Sequence, residues 1–402
     1  MSKVSIIGQG YVGLTIASFA AKVHQVVGFD NRVDVVERLN QGTSHIEGVE
    51  SSDLKSLVES GSYRASADPS DIKESEIVII AVPTPLDENR NPDLSFLESA
   101  CKTIGENLTT PALVINESTS FPGTVRNFIK PMVEKYSSTN LEHSYAVSPE
   151  RVDPGRANWN QKNTPRLYAG LTHSATLATA AFYETFCDEL VEVSSPEIAE
   201  AAKLFENTFR QVNIALVNEF AQITNALGFS IQETLEAAAT KPYGFMKFHP
   251  SAGVGGHCIP VDPTYLAYAA AEKGLAATFI QRANEVNLEM PKYIIQRVKA
   301  DNGGSLKGKK LQIIGVSYKP DVADTRETPA ELLIKEAEIE GAEVSWHDPV
   351  VKVWRGESSQ DLGKTDIAIL VTRHSIFDLD EISESASYLF DTTGSIVSAP
   401  GL

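Results

Sequence analysis

Basic residues are scarce. The 402-residue chain carries 35 Lys+Arg against 53 Asp+Glu, a net charge of −18 at pH 7. Such a surface repels phosphate backbones and anionic lipid, so nucleic acid and membrane surfaces are excluded as main partners. An anionic substrate would need a local basic site working against that field. Cysteine is scarce too: Cys101, Cys187 and Cys258 are the full set, an odd count that builds no disulfide framework and suits a reducing compartment. No apolar run approaches the ~20 residues that cross a bilayer. The opening Met1-Ser2-Lys3-Val4-Ser5-Ile6-Ile7-Gly8 lacks the long apolar core and cleavage site of a signal peptide. The expectation is a cytoplasmic protein without a metal site.

What is present is enough for a sizeable core: 42% of residues are hydrophobic and 22% charged. The length is about three times the commonest domain size, which implies two or three domains. Strand-like runs at Val4–Ile7, Gln25–Asp30, Ile77–Val82, Ala112–Asn116 and Tyr145–Val147 alternate with helical stretches such as Leu14–Val23, the pattern of βαβ units on a parallel sheet. From Pro196 to Leu227 no glycine or further proline interrupts the chain, which predicts one long helix closed by Gly228. Shorter helices are expected at Ser230–Ala239 and Pro263–Lys273, and a linker at Lys299–Lys310. Strands at Lys310–Val316, Glu343–Trp346 and Asp366–Thr372 with a helix at Pro329–Glu340 then restart the first pattern. The fold class is α/β: two Rossmann-like α/β domains (1–195 and 301–402) joined by a helical central domain (196–300) with one long helix.

Gly8-Gln9-Gly10-Tyr11-Val12-Gly13 is a G-x-G-x-x-G between a strand and a helix, and Asp30 ends the next strand 22 residues after Gly8. In that setting Gly8 permits the turn, Gly10 lets a pyrophosphate approach the backbone, and Gly13 lets helix and strand pack closely. The helix start, Tyr11 and Val12 included, offers N–H groups to phosphate. An acid at Asp30 accepts from a ribose 2′-hydroxyl and repels a 2′-phosphate, which favours NAD over NADP, although Arg32 stands nearby.

The segment Ala252-Gly253-Val254-Gly255-Gly256-His257-Cys258-Ile259-Pro260-Val261-Asp262-Pro263 sets a cysteine in a glycine-rich loop at a helix start, where thiol pKa values fall. Asp262 follows four residues on. Cys101 and Cys187, in helical stretches without a polar frame, read as buried hydrophobes. On the long helix Lys203, Asn207 and Arg210 share one face, an ammonium, an amide and a guanidinium, although a helical lysine is as often a solvated charge. Ala81–Pro85, with Thr84, and Glu117-Ser118-Thr119 follow predicted strands at the sheet edge where ligands bind. Ser148–Gly155 places Glu150, Arg151, Val152 and Asp153 in a turn-rich loop. Lys319 and Arg326 follow the first strand of the last domain, and Arg326 reads equally as an ion pair with Asp324 or Glu327.

These motifs, in this order, resemble the UDP-glucose/GDP-mannose dehydrogenase family over essentially the full length. The match rests on Gly8–Gly13, Pro83-Thr84-Pro85, Glu117-Ser118-Thr119, Ser148-Pro149-Glu150, Lys203 with Asn207, Gly255-Gly256-His257-Cys258, and Lys319-Pro320 with Arg326-Glu327. The resemblance implies an NAD domain, a helical dimerisation spine giving a homodimer, and a UDP-binding domain. It also implies a four-electron oxidation of a sugar C6 alcohol to the acid with two NAD per substrate, as used in polysaccharide biosynthesis. Cys258 would form a thiohemiacetal and then a thioester. Lys203 and Asn207 would stabilise oxyanions, Asp262 would orient or deprotonate the hydroxyl or water, and Glu150 would help position the hydrolytic water. Thr84 and Thr119 would line the nicotinamide, Arg326 the cofactor. Glu150, Arg151, Val152, Arg210, Gly255 and Lys319 would meet the nucleotide sugar.

Gly256-His257-Cys258-Ile259-Pro260-Val261-Asp262-Pro263 differs from the G-S-C-F-P-K-D of the UDP-glucose branch and resembles the UDP-N-acetylhexosamine branch. Pro149–Gly155 and Thr240–Met246 resemble its UDP-N-acetylglucosamine 6-dehydrogenases most. Pro250-Ser251-Ala252-Gly253 stands where the family has Pro-Gly-Pro-Gly, and that turn borders the sugar, so the manno isomer and then UDP-glucose are the alternatives. A two-electron β-hydroxyacid dehydrogenase needs neither Cys258 nor residues 310–402, and a silent NAD-binding scaffold has no use for Cys258, Lys203 and Asp262.

Overall fold

A computed structural model describes residues 1–137, 141–152 and 158–402. They fall into two compact units, 1–205 and 206–402.

In the first unit the apolar runs form β1 (Lys3–Ile7), β2 (Gln25–Phe29), β3 (Tyr63–Ser66), β4 (Ile77–Ile80), β5 (Leu113–Asn116), β6 (Ser144–Val147), β7 (Arg166–Gly170) and β8 (Leu190–Glu192). They make one sheet in the order β3-β2-β1-β4-β5-β6-β7-β8. All neighbours are parallel except β6 and β7. Side chains alternate between two cores: Ile6, Ile79 and Ile115 enter one, and Ile7, Val78, Ile80 and Val114 the other. That is why these strands read as unbroken apolar runs. Helices α1 (Tyr11–Ala20), α2 (Val33–Asn40), α3 (Ser51–Glu59), α4 (Ser95–Asn107), α5 (Lys130–Tyr136) and α6 (His173–Tyr183) make the connections. Strand order reverses between β1 and β4, which opens a crevice at the strands' carboxyl ends.

Helix α1 begins three residues before the expected Leu14, because Gly10 is its N-cap and the turn residues already wind helically. It stops at Ala20, since Ala21–Val23 form the turn into β2. Helix α7 spans Pro196–Leu227, the range read from sequence. The Gly228 N–H bonds to Thr224 O at 2.9 Å with φ +80°, an αL stop that a Cβ would disfavour.

The second unit holds the rest of α7, then α8 (Ile231–Ala239), α9 (Asp262–Ala271), α10 (Thr278–Asp301), β9 (Lys310–Ile314), α11 (Pro329–Ile339), β10 (Glu343–His347), the hairpin β11 (Val353–Trp354) and β12 (Glu357–Ser358), β13 (Thr365–Leu370), α12 (Leu379–Glu384) and β14 (Ala386–Asp391). Strands β10-β9-β13-β14 form a four-stranded parallel sheet. The 24-residue α10 went unread in the sequence; it contains Pro291, ordinarily a helix breaker. Its Ile294, Ile295 and Val298 pack with Ile313, Leu333 and Phe390, and Ala252 of the cysteine segment is buried in the same cluster.

Candidate active site

The three glycines of the first turn differ in what surrounds them. Gly8 has φ +92°, and a Cβ there would stand 2.5 Å from Ala81 O. A Cβ at Gly13 would meet Gly8 O at 1.9 Å, whereas one at Gly10 would meet nothing within 4 Å. Gly10 thus faces open space at the start of α1, the side from which a pyrophosphate reaches helix N–H groups. Tyr11 opens α1 and the Val12 side chain packs on the core. Gln9 is tied beneath the turn by bonds from its Nε2 to Ile6 O and Gly8 O and from Tyr63 Oη, at 2.8–3.0 Å. Asp30 accepts from the Gln9 N–H at 2.9 Å and the Arg32 N–H at 3.0 Å. The Arg32 guanidinium turns to Asp34, Nη2 to Oδ2 2.5 Å. An open glycine cradle with a carboxylate at the end of β2 fits the adenosine half of NAD.

At the next two strand ends, Thr84 and Thr119 are both buried. Ser118 Oγ joins them, accepting from the Val82 N–H at 2.9 Å. Lys203 on α7 is 7% exposed and donates from Nζ to Thr119 Oγ1 at 2.8 Å. Glu150 is buried; its Oε1 accepts from the Val152 N–H at 2.5 Å and its Oε2 from Gln161. Arg151 Nη1 bonds Pro165 O at 2.8 Å. Asp153, Pro154 and Gly155 of this loop lie outside the described residues.

A group that sequence spacing did not reveal organises these loops. Arg166 of β7, 5% exposed, bonds Glu117 at 2.7 Å and Ser148 Oγ at 3.0 Å, also bonds Gln161, and lies 3.6 Å from Glu150. Its guanidinium stacks on Tyr183, centroid distance 4.5 Å, and Tyr183 Oη donates to Glu117. Burial pushes the Glu117 carboxyl up, Arg166 opposes that, and Glu150 adds to it. One buried cation therefore fixes two carboxylates from the ends of β5 and β6. Glu117 and Ser148 stand 49 and 18 positions from Arg166, so no local motif could announce the group.

In the second unit Cys258 is exposed, while Cys101 and Cys187 are buried. Burial pushes the Cys101 thiol up to about 12 and the Cys187 thiol to about 11, so both stay protonated and inert. Helix α9 proper begins at Asp262, one turn beyond the cysteine. The Cys258 carbonyl already accepts from the Asp262 N–H at 2.8 Å and the Val261 N–H at 3.3 Å, so the thiol heads a turn that leads into the helix. Asp262 is 0% exposed, and Asn207 Nδ2 donates to its Oδ2 at 2.7 Å.

Gly255 and Gly256 let this loop lie against the segment after β9. Cβ atoms there would come within 2.7 and 2.8 Å of Tyr318, and the Gly256 N–H bonds Arg326 O at 2.9 Å. Arg326 pairs with Asp324, Nη2 to Oδ2 2.5 Å, the ion-pair partner foreseen as one of its two readings. That carboxylate holds its guanidinium above the ordinary arginine value against partial burial, with Tyr318 and Cys258 adding to the effect. Arg326 therefore stands in the electrostatic neighbourhood of the thiol. Lys319 is partly exposed on the same segment and Arg210 is exposed on α7.

Asp348, just past β10, occupies the place that Asp30 has after β2. It is 0% exposed and accepts from the Val316 and Ser317 N–H groups at 2.8 and 3.2 Å and from His374 Nε2 at 3.0 Å. Its carboxylate is spent on its own turn and is closed to solvent, whereas Asp30 in the first sheet is partly exposed. Among the described residues no cluster of His, Cys, Asp or Glu could hold a metal ion, and no helix is long and apolar enough to cross a membrane.

A dinucleotide turn on one sheet, an exposed thiol one turn before a buried acid–amide pair, and a second Rossmann-like sheet built differently define a nicotinamide-dependent dehydrogenase with a separate nucleotide-binding domain. The comparisons with known proteins narrow that class. The NAD binding, central and UDP binding domains of the UDP-glucose/GDP-mannose dehydrogenase family match residues 2–187, 197–289 and 312–397, and the chain belongs to that family. It is an NAD-dependent nucleotide-sugar dehydrogenase. Similar proteins include the UDP-N-acetyl-D-glucosamine 6-dehydrogenase of Pseudomonas aeruginosa, 34% identical over 87% of this chain and 83% of the relative. The UDP-N-acetyl-D-mannosamine dehydrogenase of Pyrococcus horikoshii is 33% identical over 93% and 90%. A solved structure of UDP-D-ManNAc dehydrogenase from Pyrococcus horikoshii superposes with a TM-score of 0.90 at 30% identity, covering 99% of this chain and 97% of that one.

Proposed function

We propose that the chain oxidises the C6 alcohol of a UDP-N-acetylhexosamine to the carboxylate, with the gluco isomer as preferred substrate. The observation that carries this reading is Cys258: an exposed thiol heading the turn whose next carboxylate, Asp262, is buried and held by Asn207. A two-electron alcohol dehydrogenase has no use for that thiol.

Bound NAD, held at the Gly8–Gly13 turn and Asp30, supplies the hydride acceptor for both oxidations. Asp262 takes the C6 hydroxyl proton as the alcohol becomes an aldehyde. The Cys258 sulfur then adds to the aldehyde carbon, and loss of a second hydride leaves a thioester. Water cleaves the thioester to the acid and returns the thiol. The balance is one alcohol, two NAD and one water giving one carboxylate, two NADH and three protons. Lys203 and Asn207, one helical turn apart on α7, stabilise negative oxygen during both additions. Arg210 and Lys319 offset the −18 net charge for a dianionic nucleotide.

The sugar assignment rests on His257 and the Ile259–Pro263 continuation, which set the chain apart from the UDP-glucose branch, and on Arg151 and Lys241–Met246, which favour the gluco type. A site that pairs an acetamido group leaves polar atoms unpaired with a plain hydroxyl, a penalty of up to roughly 10⁴ in kcat/KM. Steady-state NADH production from UDP-glucose, UDP-N-acetylglucosamine, UDP-N-acetylmannosamine and UDP-N-acetylgalactosamine is the test. UDP-N-acetylglucosamine is expected to give the highest kcat/KM; the manno isomer in first place would overturn the epimer, and UDP-glucose in first place the branch.

We also infer a homodimer. Phe209, Leu216 and Ile223 recur every seven residues on α7, followed by Leu227, and all four are exposed, with Leu216 at 65%. A seven-residue apolar seam is what a helix presents to a second copy of itself. Leu216→Glu should halve the mass read by light scattering; an unchanged mass would place the seam elsewhere.

A further inference from the structure

Near the start of α7 stands a carboxylate that solvent does not reach. Glu200 is 1% exposed. Its Oε2 accepts from the Gly123 N–H at 2.6 Å, and its Oε1 from the Val125 N–H at 3.0 Å and Ser120 Oγ at 3.3 Å. Ser120 Oγ also receives Asn116 Nδ2 at 3.2 Å, so the contact continues into the last residue of β5. All three donors to Glu200 follow Thr119 closely in the chain, Ser120 and Gly123 from the loop and Val125 from the first residue of the helical turn Val125–Ile129. Gly123 has φ +96°, a conformation that aims its N–H at the carboxylate and that side chains disfavour.

Three residues after Glu200, on the same helix, Lys203 donates to Thr119 Oγ1 at 2.8 Å. One helix thus grips one loop twice, by a carboxylate at the far end and an ammonium at the near end. A buried carboxylate is retained only where hydrogen bonds offset its lost hydration, and this one receives three. Burial still pushes its pKa up to about 7 against the pull of the two N–H donors, and Glu197 on the same helix adds to the rise. Across the loop the nearby cation is Arg126, which is paired with Glu197 at 2.7 Å.

We propose that Glu200 is a positioning residue for the oxidation: it ties the Ser120–Val125 loop to α7 so that Thr119 fixes where the Lys203 ammonium stands. It acts through those two residues. The inference rests on the reading that Lys203 and Thr119 serve the chemistry. A purely structural clamp would cost stability alone, whereas a positioning clamp costs turnover in a way that depends on Thr119.

A double-mutant cycle separates the two. Glu200→Gln keeps the shape but turns an amide N–H₂ toward a backbone N–H; Thr119→Val keeps the shape and removes the hydroxyl. NADH production with UDP-N-acetylglucosamine gives kcat and KM for each single variant and the double, and thermal melting gives Tm. Glu200→Gln is expected to lower kcat by about 10- to 100-fold with the KM for NAD within about twofold, and the double variant to be no slower than Thr119→Val within about twofold. Multiplying losses in the double variant, or a Tm drop with unchanged kcat in Glu200→Gln, would overturn the inference. If Thr119→Val by itself leaves kcat unchanged, the assignment of Thr119 is what falls, and the route through it falls too. Should Glu200→Gln not fold, Ser120→Ala removes one loop contact with the carboxylate intact. It is expected to lower kcat about two- to fivefold, and only when Thr119 is present; a loss independent of Thr119 would overturn the inference.

Discussion

Asn207 Nδ2 donates to Asp262 Oδ2 at 2.7 Å, joining the middle of α7 to the first residue of α9. The backbone N–H of the same aspartate bonds the Cys258 carbonyl at 2.8 Å. One amide therefore orients the buried acid, and the residue bearing that acid anchors the turn that presents the thiol. Removing the amide takes a donor from a carboxylate that solvent does not reach, a change that costs about 1–3 kcal/mol. Asn207→Ala is expected to lower Tm and to reduce kcat by roughly 10²-fold, the scale of one lost oxyanion donor. A variant that melts lower but turns over normally would limit Asn207 to a structural part.

The three cysteines should separate by reactivity. Cys258 is exposed, whereas burial holds the other two thiols at about 12 and about 11. Brief treatment of the native protein with iodoacetamide, followed by peptide mass mapping, should find the label at Cys258 and stop activity. Cys258→Ala should bind NAD normally by fluorescence titration yet form no acid, and Cys258→Ser should accumulate a stalled ester. Full turnover by the alanine variant would rule out the covalent route.

Cofactor choice rests on three charges. Asp30 is aligned by the Gln9 and Arg32 N–H groups, while the Arg32 guanidinium is turned aside by Asp34. NAD should therefore exceed NADP in kcat/KM. The Arg32–Asp34 pair is solvent-exposed and so weak. Asp34→Ala by itself should raise kcat/KM for NADP by less than about tenfold, and adding Asp30→Ser should raise it further. Equal use of the two cofactors by the unaltered protein would show that Arg32 prevails over Asp30.

Glu200 gives stability a definite slope with pH. Its native pKa of about 7 exceeds the ordinary 4.5, so between those values the folded chain binds more protons than the unfolded one. Its contribution therefore falls as pH rises through that window, by up to roughly 3 kcal/mol. Asp71 and Glu197, each held near about 2 first by its arginine partner, act in the opposite sense: their support is lost only as pH falls from about 4 toward 2. The Tm of Glu200→Gln minus that of the unaltered protein should rise from pH 5 to pH 8. Parallel curves would mean that Glu200 does not titrate in that range.

The glycine turn, its acid and the long helix were legible because each is written at a fixed spacing or in one unbroken run. A turn needs its glycines at fixed offsets, and α7 runs from Pro196 to the αL stop at Gly228. The cysteine segment was legible in composition but not in geometry: its helix starts at Asp262, and Gly255 and Gly256 make room for Tyr318. Helix α10 was hidden by Pro291. The Arg166 cluster and the Glu200 clamp were not legible at all, since Arg166 and Glu117 stand 49 residues apart, Glu200 and Ser120 stand 80 apart, and each pair meets only in the folded chain.

If one chain carries out both oxidations through Cys258, the direct measurement is NADH released per sugar nucleotide consumed. With limiting UDP-N-acetylglucosamine, excess NAD and the product identified by mass spectrometry, two NADH per sugar and a C6 carboxylate are expected. One NADH per sugar with an aldehyde product would contradict it.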